Sequence, residues 1–169
     1  RLVSRMGLDI AMKALAPLLK TYSDMLFALA GTGPTEESLK RLVYSLGVAD
    51  KVLFLGFVSD ETLKRCYEAS DMFIMPTVAL ECFGLPIIEA LAFGLPVIST
   101  DAAALPELMK PILPACVVPA GNVEALTEKV RAYLESRLNL PEPEEFVNYV
   151  KERYGFELIS HRMVEFLEG

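Results

Sequence analysis

A doubly wound α/β domain, a parallel sheet with helices on both faces, is the fold predicted for this 169-residue chain. Three observations predict it. Helical and strand periodicities alternate along nearly the whole sequence. The strand-like runs are short and continuously apolar, as suits strands covered on both faces. Gly or Pro punctuates almost every passage between elements.

Each element has its own signal. From Gly7 to Tyr22 the apolar residues Leu8, Met12, Leu15, Leu18 and Leu19 form a helical stripe, with Lys13 and Lys20 on the wet side. Met25–Ala30 is an apolar run ended by Gly31. Pro34-Thr35-Glu36-Glu37 opens a helix with stripe Leu39, Leu42, Val43 and Leu46, stopped by Gly47. Val52–Leu55 is a second strand ended by Gly56, and Ser59-Asp60-Glu61 caps a helix with Leu63, Cys66 and Tyr67 inward. Asp71–Met75 reads as a strand, Pro86–Phe93 as a short helix apolar but for Glu89, and Pro96–Ser99 as a strand. A weak strand at Cys116–Val118 precedes an amphipathic helix over Asn122–Arg137. Asn139-Leu140-Pro141-Glu142-Pro143 reads as a linker, followed by helices at Glu144–Tyr154 and Glu157–Leu167. The expected organisation is a ligand-binding domain over 1–138, with linker and helices packing on it over 139–169.

Composition narrows the function classes. Hydrophobic residues make up 53% and charged residues 23%, with mean hydropathy +0.37, which excludes a disordered chain. Sixteen Lys and Arg against 23 Asp and Glu give a net charge of −7, a poor match for nucleic acid. Cys66, Cys82 and Cys116 are odd in number and far apart, and read as reduced, mostly buried thiols of a cytoplasmic protein. His161 is the sole histidine, which argues against a multi-His metal site and a Ser-His-Asp triad. The most apolar stretch, Cys82–Ile98, is broken by Gly84, Pro86, Glu89, Gly94 and Pro96, so it cannot span a bilayer. The chain opens at Arg1-Leu2-Val3 with no initiator Met and no helix cap, the expected look of a piece cut just after a strand.

In an open parallel sheet, ligands bind outside the carboxyl ends of the strands. Gly31-Thr32-Gly33-Pro34, Gly56-Phe57-Val58-Ser59, Pro76–Pro86 and Ser99-Thr100-Asp101 all follow strands and fall on that edge. Gly33 sits in a strand-to-helix turn where a missing Cβ suits either a close backbone approach or a plain tight turn. The turn lacks full G-x-G-x-x-G spacing and no acidic residue ends the next strand, which disfavours a nicotinamide site. Phe83-Gly84-Leu85-Pro86 places free N–H groups at a helix start, with Pro86 at the first helical position, and makes an anion site without Lys or Arg. Glu89 lies one turn in on a helix expected to be buried. It must therefore meet donors, either a sugar diol or an Arg or backbone N–H. Glu81 flanks the anion site.

These residues carry a resemblance. Glu81-Cys82-Phe83-Gly84-Leu85-Pro86-Ile87-Ile88-Glu89-Ala90 resembles the E-x7-E motif of the retaining glycosyltransferases of family 4, the group 1 glycosyltransferases. Gly31–Pro34 resembles the family's G-x-G-P turn, Val52–Val58 its V-x-F-x-G-x-V strand, Ala69–Asp71 its A-D strand opening and Gly94–Ile98 its G-x-P-V-I strand. Arg1–Asp9 resembles its G-R-x4-K-G-x-D opening. The resemblance implies the C-terminal half of a GT-B enzyme, one of two Rossmann-like domains, with the acceptor-binding N-terminal domain outside this sequence.

By the same resemblance, Glu89 holds ribose hydroxyls and Glu81 is the catalytic residue near the donor sugar. Gly84 and Leu85, beside Pro86, donate N–H to the diphosphate; Phe57 and Val58 frame the base; Gly33 lines the donor site; and Arg1 neutralises phosphate. It implies no metal and no cofactor. The donor is a nucleoside-diphosphate sugar, with UDP, GDP and ADP undistinguished. It implies a cytoplasmic enzyme whose full-length form makes peripheral contact with the inner membrane surface. Two positions depart from the family pattern. Met6 stands where the family has Lys, with Arg5 as its basic neighbour, and Cys82 stands where it has Gly. Met6 is what supports the alternative, a non-catalytic glycosyltransferase-like binding or assembly module.

Overall fold

The computed structural model describes residues 1–168. Five parallel-paired strands, β1 (Phe27–Ala30), β2 (Val52–Gly56), β3 (Phe73–Met75), β4 (Val97–Thr100) and β5 (Val117–Val118), alternate with helices, as the periodicities predict. The helices are α1 (Leu8–Thr21), α2 (Glu36–Ser45), α3 (Asp60–Glu68), α4 (Leu85–Ala92), α5 (Leu105–Met109), α6 (Val123–Leu134), α7 (Pro143–Tyr154) and α8 (Phe156–Glu168). Sequence reasoning missed α5, whose five residues are too few to show a period.

The strands form two sheets rather than one. β1 pairs with β2 from Phe27 opposite Val52 to Ala30 opposite Gly56, and β4 lies between β3 and β5. Burial differs accordingly. Every residue of β4 is buried, whereas β1 and β2 bury only alternate positions and leave Leu53 and Leu55 partly open. The expectation that Met25–Ala30 and Val52–Leu55 are covered on both faces is therefore corrected. A continuous apolar run states what a strand tolerates, and neighbours decide what is covered.

Hydrophobic burial is concentrated on α1, where Ala11, Met12, Ala14, Leu15, Leu18 and Leu19 are nearly inaccessible against α2 and α6. Ser59 caps α3 through a 3.3 Å bond from the Thr62 N–H, as read from the sequence, and Asn122 caps α6 at 2.9 Å. Helix α7 lies against α4 and inserts Phe146 into the core, while α8 rests on α7 and exposes Phe156, Met163, Phe166 and Leu167.

Residues 1–7 cross the carboxyl ends of both sheets and tie them together. Leu2 N–H donates to the Thr32 carbonyl at 2.9 Å, and Val78 N–H donates to the Arg5 carbonyl at 2.8 Å. Two glycines make this crossing possible. A Cβ on Gly33 would collide with the Leu2 backbone, and one on Gly7, held at φ 65°, would collide with the Pro76 carbonyl.

Candidate functional site

The strand-end segments do gather at one edge, and the loop from Pro76 to Gly84 is its most ordered polar element. That loop contains Leu80 at φ 55°, a left-handed conformation that is strained for a branched side chain. Across from it Ala103 is also left-handed, and Ala104 N–H donates to the Glu81 carbonyl at 3.3 Å.

The Glu81 side chain is only 16% exposed, and one of its oxygens serves the start of α4. Oε1 accepts from the Gly84 N–H at 3.1 Å and the Phe83 N–H at 3.4 Å. The other, Oε2, lies 3.6 Å from Arg5 Nη1, which also donates to the Leu80 carbonyl at 2.8 Å. The first donors of α4 and the guanidinium thus converge on one carboxylate, the arrangement that a helix start offers an anion. Gly84 is the N-cap at φ 84°, and a Cβ there would press on Leu105 and Leu108. The helix begins at Leu85, so Pro86 is the second helical residue and not the first as expected. Leu85 itself is exposed.

Glu89 is exposed, which corrects the expectation of a buried carboxylate. Only one side of α4 is covered, through Ile87, Ile88, Ala90 and Leu91. Leu85, Glu89 and Ala92 share the open side. The donor Glu89 meets is neither Arg nor backbone but the Tyr67 hydroxyl, 2.9 Å from Oε2. The Tyr67 ring stacks on Phe93 with centroids 5.4 Å apart and is tilted against Phe73 at 5.9 Å. Burial, then the bond to Glu89, pushes the Tyr67 phenol well above its ordinary value, so it acts as a donor and stays protonated. Sequence periodicity put Tyr67 on the inner face of its helix but gave no sign of this partner.

The remaining predicted residues are placed as follows. Phe57 is 87% exposed on the β2–α3 loop, with Val58 half-buried beside it. The exposed Arg1 has its backbone nitrogen beside Gly31 at the end of β1. Gly33 holds the Leu2 backbone, which satisfies the close-approach reading with the chain's own residue. Of the three cysteines only Cys116 is buried; Cys82 is exposed and Cys66 intermediate, which corrects the expectation of mostly buried thiols. Thr77, fully buried just past β3, has a hydroxyl without a partner, while its carbonyl accepts from Thr100 Oγ1. Nothing in the periodicity marked it. Among the described residues no group of three or more His, Cys, Asp or Glu is arranged to hold a metal ion, and no helix is long and apolar enough to cross a membrane.

The sequence profile of the group 1 glycosyl transferases matches residues 1–153, which includes the whole of this edge. The chain belongs to this family. Within the group 1 glycosyltransferases, it is 37% identical over 78 residues to an uncharacterised glycosyltransferase of Methanocaldococcus jannaschii. It is 38% identical over 76 residues to the GDP-mannose-dependent α-(1-6)-phosphatidylinositol monomannoside mannosyltransferase of Mycolicibacterium smegmatis. These alignments take in 46% and 45% of this chain and 20% of each relative, so the chain matches about a fifth of their length.

The fold agrees over almost all residues. Anabaena HepE, solved in complex with UDP and glucose, superposes with a TM-score of 0.85 at 22% identity, covering 99% of this chain and 46% of HepE. The C-terminal domain of a group 1 glycosyltransferase from Francisella tularensis superposes at 0.80 and 24% identity, covering 92% of this chain and 83% of that one. The Rossmann-like, GT-B-type architecture expected from the motifs is therefore the fold of this group 1 domain.

Proposed function

We propose that this chain is the donor-nucleotide-binding domain of a retaining glycosyltransferase of family 4, moving a sugar from a nucleoside-diphosphate sugar to an acceptor hydroxyl. The observation that carries the reading is the start of α4. Two backbone donors and a guanidinium converge there on one anionic group, eight residues before the exposed carboxylate of Glu89.

In this reading the diphosphate takes the Gly84 and Leu85 N–H groups beside Pro86, and Glu89 accepts from the ribose diol. Phe57 and Val58 frame the base. Gly33 shapes the turn that borders the donor, and Arg1 brings positive charge from the end of β1. The bond between the anomeric carbon and the diphosphate oxygen breaks, and the diphosphate leaves with the electron pair. The acceptor oxygen bonds to the anomeric carbon and gives up its proton. Backbone N–H groups already aimed at the developing negative charge stabilise it without rearranging during the reaction. Glu81, at the donor-sugar end, is the catalytic residue. The acceptor and the domain that binds it lie outside this sequence, so this chain by itself binds nucleotide weakly and transfers little. The working site is cytoplasmic, with the complete enzyme touching the inner membrane surface.

Calorimetric titration of this chain with UDP, GDP and ADP, alongside Glu89→Ala, tests the reading. Binding of one nucleotide that is lost in the variant supports it and identifies the base. Binding unchanged by the variant overturns the role of Glu89.

One observation favours a second reading, a non-catalytic binding or assembly module. Met6 is uncharged and packs against the core. Met6→Lys in the complete protein separates the two, because a degenerate site gains turnover from the restored charge and a working site does not.

A further inference from the structure

Relative to its family, the chain is one cation short at position 6, yet a cation stands at the start of α4. Ser4–Met6 forms a single 3-10 turn closed by Gly7. Successive side chains of such a turn point about 120° apart, so residues 5 and 6 cannot face the same way. Met6 turns inward and packs against the core. Arg5 turns outward to the loop that leads into α4, and 42% of its side chain stays exposed. Its Nη1 reaches the Leu80 carbonyl at 2.8 Å and stands 3.6 Å from Glu81 Oε2. The same carboxylate uses Oε1 to accept from the Gly84 and Phe83 N–H groups. An oxyanion is therefore already seated between a guanidinium and a helix start, the two kinds of donor that recognise phosphate best.

We propose that Arg5 is the second cationic ligand of the donor diphosphate in this chain, in place of residue 6, and that Glu81 fills its seat while no donor is bound. This inference rests on the reading of the chain as a donor-binding domain. An ion pair as exposed as Arg5–Glu81 is weak, so a diphosphate carrying more charge displaces the carboxylate readily. Displacement also releases Glu81 from the helix start, toward the donor sugar where the proposed function places it. A guanidinium suits the exchange, because its planar fork binds carboxylate and phosphate in the same geometry.

The test is calorimetric titration of the 169-residue chain with UDP, GDP and ADP, comparing wild type, Arg5→Gln and the double variant Arg5→Gln/Met6→Lys. The nucleotide that wild type binds is expected to bind Arg5→Gln about tenfold or more weakly, as for loss of a charged hydrogen-bond partner. The double variant is expected to recover most of that affinity. Recovery separates a charge on the diphosphate from a brace on the loop, because a lysine at position 6 does not rebuild the bond to the Leu80 carbonyl. Unchanged binding by Arg5→Gln overturns the proposal, as does a loss that Met6→Lys leaves in place. Failure of wild type to bind any of the three overturns the donor-domain reading itself, and the role of Arg5 falls with it.

Discussion

Tyr67 and Glu89, 22 residues apart and on different helices, are joined by a single 2.9 Å hydrogen bond from phenol to carboxylate. The phenol belongs to α3 and is clamped by Phe93 and Phe73; the carboxylate projects from the open side of α4. A rigid ring thereby holds one oxygen of an otherwise mobile side chain. If Glu89 accepts from a ribose diol, Tyr67 sets its orientation. Tyr67→Phe is expected to weaken nucleoside-diphosphate binding roughly three- to tenfold, the scale of one hydrogen bond to a charged group. Binding of the 2′,3′-dideoxy analogue should stay unchanged. Equal losses for both nucleotides would show that Tyr67 acts only through general stability.

Gly33→Ala tests the close approach of the two chain segments. The added methyl meets the Leu2 backbone, which has no flexible end to yield. A destabilisation of about 2–4 kcal/mol is expected, in the range of forced overpacking and backbone displacement. The urea midpoint measures it. A midpoint at the wild-type value would mean that residues 1–7 do not lie across the strand ends as described.

Helix α7 contributes to the core through Phe146, which is 1% exposed. Phe146→Ala should cost about 3–5 kcal/mol, as for other large-to-small changes at fully buried aromatics. Because α7 backs α4, the same variant should loosen the helix that carries Glu89. Hydrogen exchange over residues 85–92 is expected to quicken more than over α1.

Alkaline pH offers an independent check on burial. Tyr149 is pushed up to about 12, first by burial and then by the neighbouring Tyr154; Tyr67 also lies above the ordinary phenol value of about 10. Both groups keep their protons in the folded state after the unfolded chain has released them. Their contribution is therefore complete below about pH 10 and declines as pH rises, across 10 to 12 for Tyr149. Wild-type stability should fall with pH in that window, and Tyr149→Phe should make the decline shallower. A parallel decline in the variant would place Tyr149 in water.

Apolar periodicity and turn residues made the order of elements legible, because both are local properties of the chain. The strand-end loops were legible for the same reason, since topology alone sends them to one edge. Glu81 and Glu89 stood out as carboxylates in apolar surroundings, and their surroundings in the fold differ. One caps a helix and faces Arg5, while the other lies exposed under a tyrosine from elsewhere in the chain.

Sequence by itself therefore settled which elements form, in what order, and which loops share the candidate edge; hydrogen-bonding patterns, side-chain periods and backbone restrictions act within a few residues. Pairing between distant residues required the tertiary fold. The division into two sheets, the seat of Glu81 between Arg5 and α4, and the Tyr67 clamp on Glu89 all depend on packing across long separations. No local pattern encodes which faces will meet, because burial is a property of neighbours and a strand or helix carries only a preference for it.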